Sequence, residues 1–306
     1  MQIRAFAEAD YPALIRAYSQ VYPASPRSEA ELRYADGRYT PPYQHARWVA
    51  VEGNKLAGWA DFAQPAASYQ PHKFHLVVAS LADDVKAALY DQLLRALEPL
   101  RPALLKTEVD EADGAFYLAR GFREVKKNWT LHLSLDRFSR ATYGDKDSPP
   151  GCDFVSFAEL ERTDAGTRAL YELLRELVTE VPSTEPRSPW TFEQFLHHRQ
   201  NSPVLLPEGS LVVRQGELLV GLSELKRTPD PLQLMTSLTA VKGAFRARGL
   251  ALAVKLQTLQ RAKELGFGGV YTQNASSNAR MMALNEALGF TKQRATTELV
   301  RGETPG

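Results

Sequence analysis

Two landmarks occur twice in this chain, in the same order and at nearly the same separation, and they restrict the fold to one built by duplication. Trp48–Gly58 reads as a strand, a Gly-containing turn and a second strand. Leu211–Gly221 repeats it 163 residues later with both glycines in register. Ala119-Arg120-Gly121-Phe122 returns 168 residues later as Ala287-Leu288-Gly289-Phe290. Chance explains either match; an ordered pair at similar offsets indicates a repeated domain rather than a short-period solenoid. At 306 residues the chain is long enough for two domains. The stretch Thr142–Gly151 is polar, Gly- and Pro-containing, and suited to neither helix nor strand, so the boundary is expected there. The domains are then 1–145 and 151–306.

Hydrophobic periodicity predicts helices near 8–20, 85–98 and 112–120 in the first half, and near 159–180, 191–200, 248–265 and 277–288 in the second. Strands and a meander lie between them. The expected class is α/β with α+β character, each half a mixed central sheet flanked by helices.

Composition excludes several functions. A net charge of +1 gives no global reason to bind nucleic acid or a membrane. One cysteine, Cys152, excludes an intrachain disulfide and a multi-cysteine metal site, and suits a reducing cytoplasm. The first residues alternate like a strand rather than a signal peptide, and no apolar run approaches the roughly 20 residues that span a bilayer. A soluble cytoplasmic protein, monomer or homodimer, is the expectation.

Chemistry concentrates in the second half. Leu232–Val241 alternates like a half-buried strand, and Leu252, Leu256 and Leu259 recur at helical spacing before Gly266. Between them runs Phe245-Arg246-Ala247-Arg248-Gly249-Leu250-Ala251, with no acidic residue until Glu264. A glycine at a helix start, free N–H groups and nearby cations suit an anion. A helix start with solvated arginines is the other reading. A Rossmann loop needs two further glycines, and a P-loop needs Lys where Leu250 stands, so neither fits.

Strand, loop, helix and a second strand at Gly269–Gln273 together resemble the GNAT superfamily of acyl-CoA N-acyltransferases. Arg246, Gly249 and Ala251 occupy its R/Q-x-x-G-x-G/A signature, and Asn274, Asn278 and Leu288-Gly289-Phe290 match its N-x-x-x-N…L-G-F segment. The resemblance covers residues 205–300 well and, through the duplication, the first half more loosely. It implies acetyl-CoA as co-substrate, its pyrophosphate on Arg246, Ala247, Arg248, Gly249, Leu250 and Ala251, and its thioester along Leu238, Thr239, Ala240 and Val241. It further implies contacts from Asn274 and Asn278, and a small-molecule amine as acceptor. The alternative is a protein that binds or senses acyl-CoA without turnover.

At the matching place the first half reads Ser80-Leu81-Ala82-Asp83-Asp84, with neither Gly nor Arg. Its carboxylates satisfy the helix start themselves, so this half is expected to be degenerate; an unrelated α/β domain is the alternative. The family's thiolate-protonating tyrosine falls at Asn285, a catalytic candidate that can hydrogen-bond sulfur but cannot titrate, while the first half has Tyr117 there. Water, Thr239 or Tyr271 is left as a substitute, or direct transfer to the thiolate suffices. Glu224 is the candidate general base, with a solvated strand carboxylate as the plain reading, and Glu180 is a second candidate. His197 and His198 are adjacent and lack a third ligand, so no metal is expected. Met281 and Met282 read as core. Trp190, Phe192, Phe195 and the segment Val181–Pro189 read either as a lid or as a folded connection between helices.

Overall fold

The computed structural model describes residues 1–23, 26–53, 55–64, 68–147, 149–180 and 188–303. The two hairpins carry the duplication into backbone detail. β2 (His45–Glu52) pairs with β3 (Lys55–Ala63), and β8 (Leu211–Gln215) with β9 (Leu218–Arg227), through turns at Gly53 and Gly216. Both pairs are irregular at the same place, between Ala50 and Val51 and between Val213 and Arg214. Gly58 and Gly221 are also equivalent. A Cβ on either would lie within 3.0 Å of a neighbouring-strand carbonyl, that of Ala79 or Ala240, so only glycine fits.

The chain divides into two compact units, residues 1–127 with 296–306, and residues 128–295. In the first, β1 (Gln2–Ala5), β2, β3, β4 (Lys73–Ser80) and β5 (Leu104–Asp110) form a sheet in that order. Only the β4–β5 pair is parallel. Alternation along the strands sends side chains to two helical layers. Val49, Trp59 and Ala79 pack on α1 (Tyr11–Val21) and α2 (Glu29–Asp36). Ala50, Ala60 and Val78 pack on α3 (Asp83–Leu97) and α4 (Glu111–Leu118). Hydrophobic periodicity does not mark α2, although the chain announces it: Ser28 accepts from the N–H of Glu31, and the Glu31 carboxylate accepts from that of Ser28.

The second unit repeats the plan. β6 (Arg123–Ser134) is followed by β7 (Cys152–Ser156), α5 (Phe157–Leu160), α6 (Asp164–Glu180) and α7 (Phe192–Asn201). The hairpin β8–β9, β10 (Gln233–Val241), α8 (Leu250–Glu264), β11 (Gly269–Ala275) and α9 (Ala279–Ala287) complete it. Strand order is β6-β11-β10-β9-β8-β7, with β10–β11 the parallel pair. Val212 and Leu222 face α5–α7, whereas Val213, Val220 and Val241 face α8.

The last strand of each half crosses over. Asn128–Ser134 of β6 pair with β11 in the second unit, and β12 (Thr291–Gly302) pairs through Thr296–Gly302 with β5 in the first. The units therefore part at Lys127 and again at Ala295, not in the polar stretch at 142–151, which lies wholly within the second unit. Each final strand has 12 residues, while β5 and β11 have seven, so part of each final strand extends beyond that partner.

Candidate functional site

The site of the second unit begins with a backbone irregularity. β10 pairs with β9 through Thr236–Leu225 and then Leu238–Glu224, so Ser237 is an extra residue. On its other edge β10 pairs with β11 only from Gln233–Gly269 to Thr236–Thr272. Beyond that point β10 stays on β9 as far as Val241, while β11 stays on β6 as far as Ala275. The two parallel strands thus separate. Among the described residues, Leu238, Thr239, Ala240 and Val241 border the gap with no strand partner on that edge. At its apex the buried Thr236 hydroxyl has no hydrogen-bond partner.

β10 leads into the loop. Gly243–Phe245 make one 3₁₀ turn, Arg246 is extended, Ala247 has φ of 61°, and Gly249 caps α8 at φ of 79°. The first helical bond runs from Ala253 N–H to Gly249 carbonyl. The N–H groups of Leu250, Ala251 and Leu252 lie in the first turn without a helical partner, and no side chain caps them. With the positive end of the helix dipole, they form a cradle for an anion. Two of the cations around it are tied back by α6. Arg246 donates to the Val241 carbonyl at 3.0 Å and pairs with Glu180, and Lys242 pairs with Glu176 at 2.9 Å. Arg248 donates to the Ala244 carbonyl. Glu180, read as a possible base, is an ion-pair partner of the loop.

In the first unit the same places are closed. β4 and β5 also separate early, after His75–Lys106. There the Thr107 hydroxyl donates to the Leu76 carbonyl at 2.9 Å and the Tyr117 hydroxyl to that of Val78 at 3.5 Å, so the protein's own side chains bridge the opening. Only Leu81 and Ala82 connect β4 to α3, where the second unit has eight residues from Lys242 to Gly249. Tyr117 is 1% exposed, burial pushes its phenol far above the ordinary value, and its hydroxyl proton is already committed to the Val78 carbonyl.

The candidate catalytic residues have the following partners. Asn285 is fully buried; it accepts from Lys255 and donates to Asn274. Asn278 caps α9 by accepting from Met281 N–H. The Thr239 hydroxyl is 3.1 Å from that of Ser223. Tyr271 packs against the His132 ring. Glu224 is buried and accepts from Arg199, which also pairs with Glu161. It is not solvated, contrary to the plain reading. The first unit has a parallel: Asp61, at the position equivalent to Glu224, shares the buried Arg47 with Asp36. An acid–arginine–acid cluster is thus repeated in a unit whose loop is gone.

Met282 is core, as read, whereas Met281 is half-buried and outside the core clusters. Trp190, Phe192 and Phe195 pack against the α6 core, and Tyr171 donates to the Trp190 carbonyl, which is the folded-connection arrangement. The remainder of that segment, residues 181–187, lies outside the described residues, as do Asn54 and Ser148. Among the described residues, no cluster of three His, Cys, Asp or Glu is arranged for a metal, and no helix is long and apolar enough to cross a membrane. Sequence reasoning missed Arg199 and Lys255. Lys255 had a signal: it interrupts the apolar stripe of α8 three residues after Leu252 and four before Leu259.

A separated parallel strand pair, a Gly-capped loop and a mixed sheet between helical layers define the GNAT fold, and solved structures agree. The chain is 19% identical to a GCN5-related N-acetyltransferase from Sphaerobacter thermophilus, with TM-score 0.74 over 100% of this chain and 96% of that one. Its form is the tandem one. It matches a tandem GNAT protein from the clavulanic acid biosynthesis pathway at 18% identity and TM-score 0.77, over 100% and 99% of the two chains. A GCN5-related glucosamine N-acetyltransferase region of a fungal multi-domain β-N-acetylglucosaminidase matches at 12% identity and TM-score 0.71, over 98% of this chain and 38% of that one. No family model and no curated protein matches the chain.

Proposed function

We propose that the second unit binds acetyl-CoA and transfers its acetyl group to the primary amine of a small molecule by direct attack on the thioester. The observation that carries this reading is the separation of β10 from β11 beside a helix start that lacks a side-chain cap. A gap with unpaired backbone groups meets the amides and thioester of a pantetheine arm, and the N–H groups of Leu250–Leu252 meet its pyrophosphate. Arg246 and Arg248 add charge-assisted bonds. A backbone N–H among Leu238–Val241 receives the developing oxyanion, and Asn274 bonds the arm. Saturating acetyl-CoA at 100 times Kd is expected to stabilise the protein by about 2.7 kcal/mol. Thiol release across an amine library then tests turnover. Stabilisation without release from any amine supports the non-catalytic acyl-CoA binder instead.

Two smaller outcomes follow from the ion pairs. Glu180 competes with the phosphates for Arg246, so Glu180→Gln is expected to tighten acetyl-CoA binding about two- to fivefold, the range of a partly exposed pair. Titration calorimetry reads it, and an unchanged or weaker affinity removes the competition. Glu224 is the carboxylate proposed to accept the acceptor's proton. Glu224→Gln is therefore expected to slow turnover by at least about tenfold below the acceptor's own amine pKa, and less above it. An unaltered pH–rate profile would make the Glu224–Arg199–Glu161 cluster architectural, as its counterpart around Arg47 is.

A further inference from the structure

Lys255 is one of the largest fully buried side chains among the described residues, 1% exposed, and has no part in the acetyl transfer proposed for this unit. It lies on α8 six residues beyond Gly249. Its ammonium donates to Asn285 Oδ1 on α9 and lies 4.8 Å from the centre of the Phe290 ring. Asn285 donates from Nδ2 to Asn274 Oδ1. Asn274 is two residues past Thr272, the last β11 residue paired with β10, so the chain Lys255–Asn285–Asn274 ends where β11 borders the gap.

A buried ammonium is ordinarily paired with a carboxylate, and the first unit shows that arrangement. Lys86 is buried on α3, lies 4.8 Å from the Phe116 ring centre and 5.8 Å from that of Tyr117, and pairs with Asp113 on α4. Counted from the repeated Gly-Phe landmark, Tyr117 corresponds to Asn285 and Asp113 to Met281. The second unit thus keeps a buried lysine, loses its carboxylate and exchanges the tyrosine for asparagine.

Burial lowers the Lys255 pKa from 10.5 to about 7. Charged groups on the elements packed against it have other partners. Arg214 pairs with Asp153, Glu224 with Arg199, Arg227 with Glu208, and Glu286 with Lys292, while Arg140 bonds Gln257. Lys226 is half-buried and Arg280 exposed, and neither contributes to the shift.

Resting on the reading that acetyl-CoA binds in this gap, we propose that Lys255 is a positioning residue for the leaving sulfur, acting through Asn285. The ammonium fixes the amide by its oxygen and sets a positive charge behind it. One Nδ2 hydrogen is committed to Asn274, and the other is a donor for sulfur. In the transfer, the acceptor nitrogen's lone pair forms the N–C bond and the C–S bond breaks with its pair on sulfur. The nitrogen's proton passes to Glu224 or solvent. The sulfur leaves as a thiolate held by the Asn285 N–H and the Lys255 charge, so position 285 needs no titrating acid.

The test reads the thiol of bound coenzyme A through its ultraviolet thiolate absorbance as pH is raised. A thiolate forming nearby holds on Lys255 the proton that the free protein releases near 7. The wild type is therefore expected to make the bound thiol about tenfold more acidic than free coenzyme A, or more. Lys255→Met is expected to return it to the free value while leaving coenzyme A affinity within about threefold. Asn285→Ala, which keeps the lysine, is expected to lose the same shift. An equal shift in wild type and both variants, or an unshifted thiol in the wild type, overturns the proposal alone. Failure of the wild type to bind coenzyme A overturns the acetyl-CoA reading and this proposal together.

Stability against pH gives a readout that does not need the ligand. Unfolded, the lysine keeps its proton to about 10.5; folded, it releases it near 7. Between these values the unfolded state binds more protons, so wild-type stability gains a component that rises with pH. Lys255→Met is expected to lose that rise and to melt above the wild type near neutral pH. A lower melting temperature with an unchanged pH dependence makes Lys255 a structural anchor and overturns the proposal.

Discussion

Cutting the chain within the polar stretch at 142–151 is expected to leave two fragments that do not fold alone but refold when mixed. Composition marks this stretch as the natural boundary, and the exchanged strands make it the wrong one. A fragment of residues 1–145 lacks β12, so β5 loses seven paired positions and the core loses Leu299 and Val300. A fragment of residues 151–306 lacks β6 and with it Leu131, Leu133, Leu135 and Phe138, all buried in the second unit. A buried side chain of this size contributes roughly 1.5–3 kcal/mol. Four of them rival the whole stability of a domain, about 5–15 kcal/mol. Each fragment also exposes a long unpaired strand edge that favours aggregation. Near-ultraviolet circular dichroism and thermal melting of each fragment, and of the mixture, read the result. A cooperative transition in either fragment alone would show that the exchanged strand is dispensable.

The same strands show what was legible in the sequence. The hairpins, the Gly-Phe landmarks and the strand–loop–helix order were readable because each rests on local chemistry: turn glycines, helical spacing and a C-cap. Strand exchange is not local. Nothing in Arg123–Ser134 distinguishes a strand that returns to its own sheet from one that joins another, since both need the same alternation. The capping box at Ser28–Glu31 was readable and overlooked. Around the site, the loop residues were legible through the signature at Arg246, Gly249 and Ala251. Their partners were not. Glu176 and Glu180 lie more than 60 residues from Lys242 and Arg246, and Arg199 lies 25 residues from Glu224. Sequence shows that a carboxylate exists, but only the packing of α6 and α7 shows what it faces.

Gly249→Asp is expected to abolish acetyl-CoA binding, by at least about 100-fold in Kd, while the protein stays folded. Two opposing effects keep it folded. Gly249 has φ of 79°, where a residue with a Cβ is strained by about 1–2 kcal/mol, and no atom lies within 4 Å of the added Cβ. Against that, aspartate is among the better residues for a helix N-cap, and its charge suits the dipole, a gain typically near 1 kcal/mol. Stability changes little, whereas the cradle is filled: the new carboxylate takes the place of the phosphate and repels it. The first unit already has this arrangement, with Asp83 and Asp84 in the first turn of α3 and no glycine before them. Gly249→Ala is the control, since it carries the strain without the charge and is expected to bind acetyl-CoA more weakly than wild type yet measurably. Ligand-induced thermal stabilisation reads all three proteins. Full stabilisation of the aspartate variant would remove the start of α8 from the binding site, and with it the reading of this gap as the place where acetyl-CoA rests.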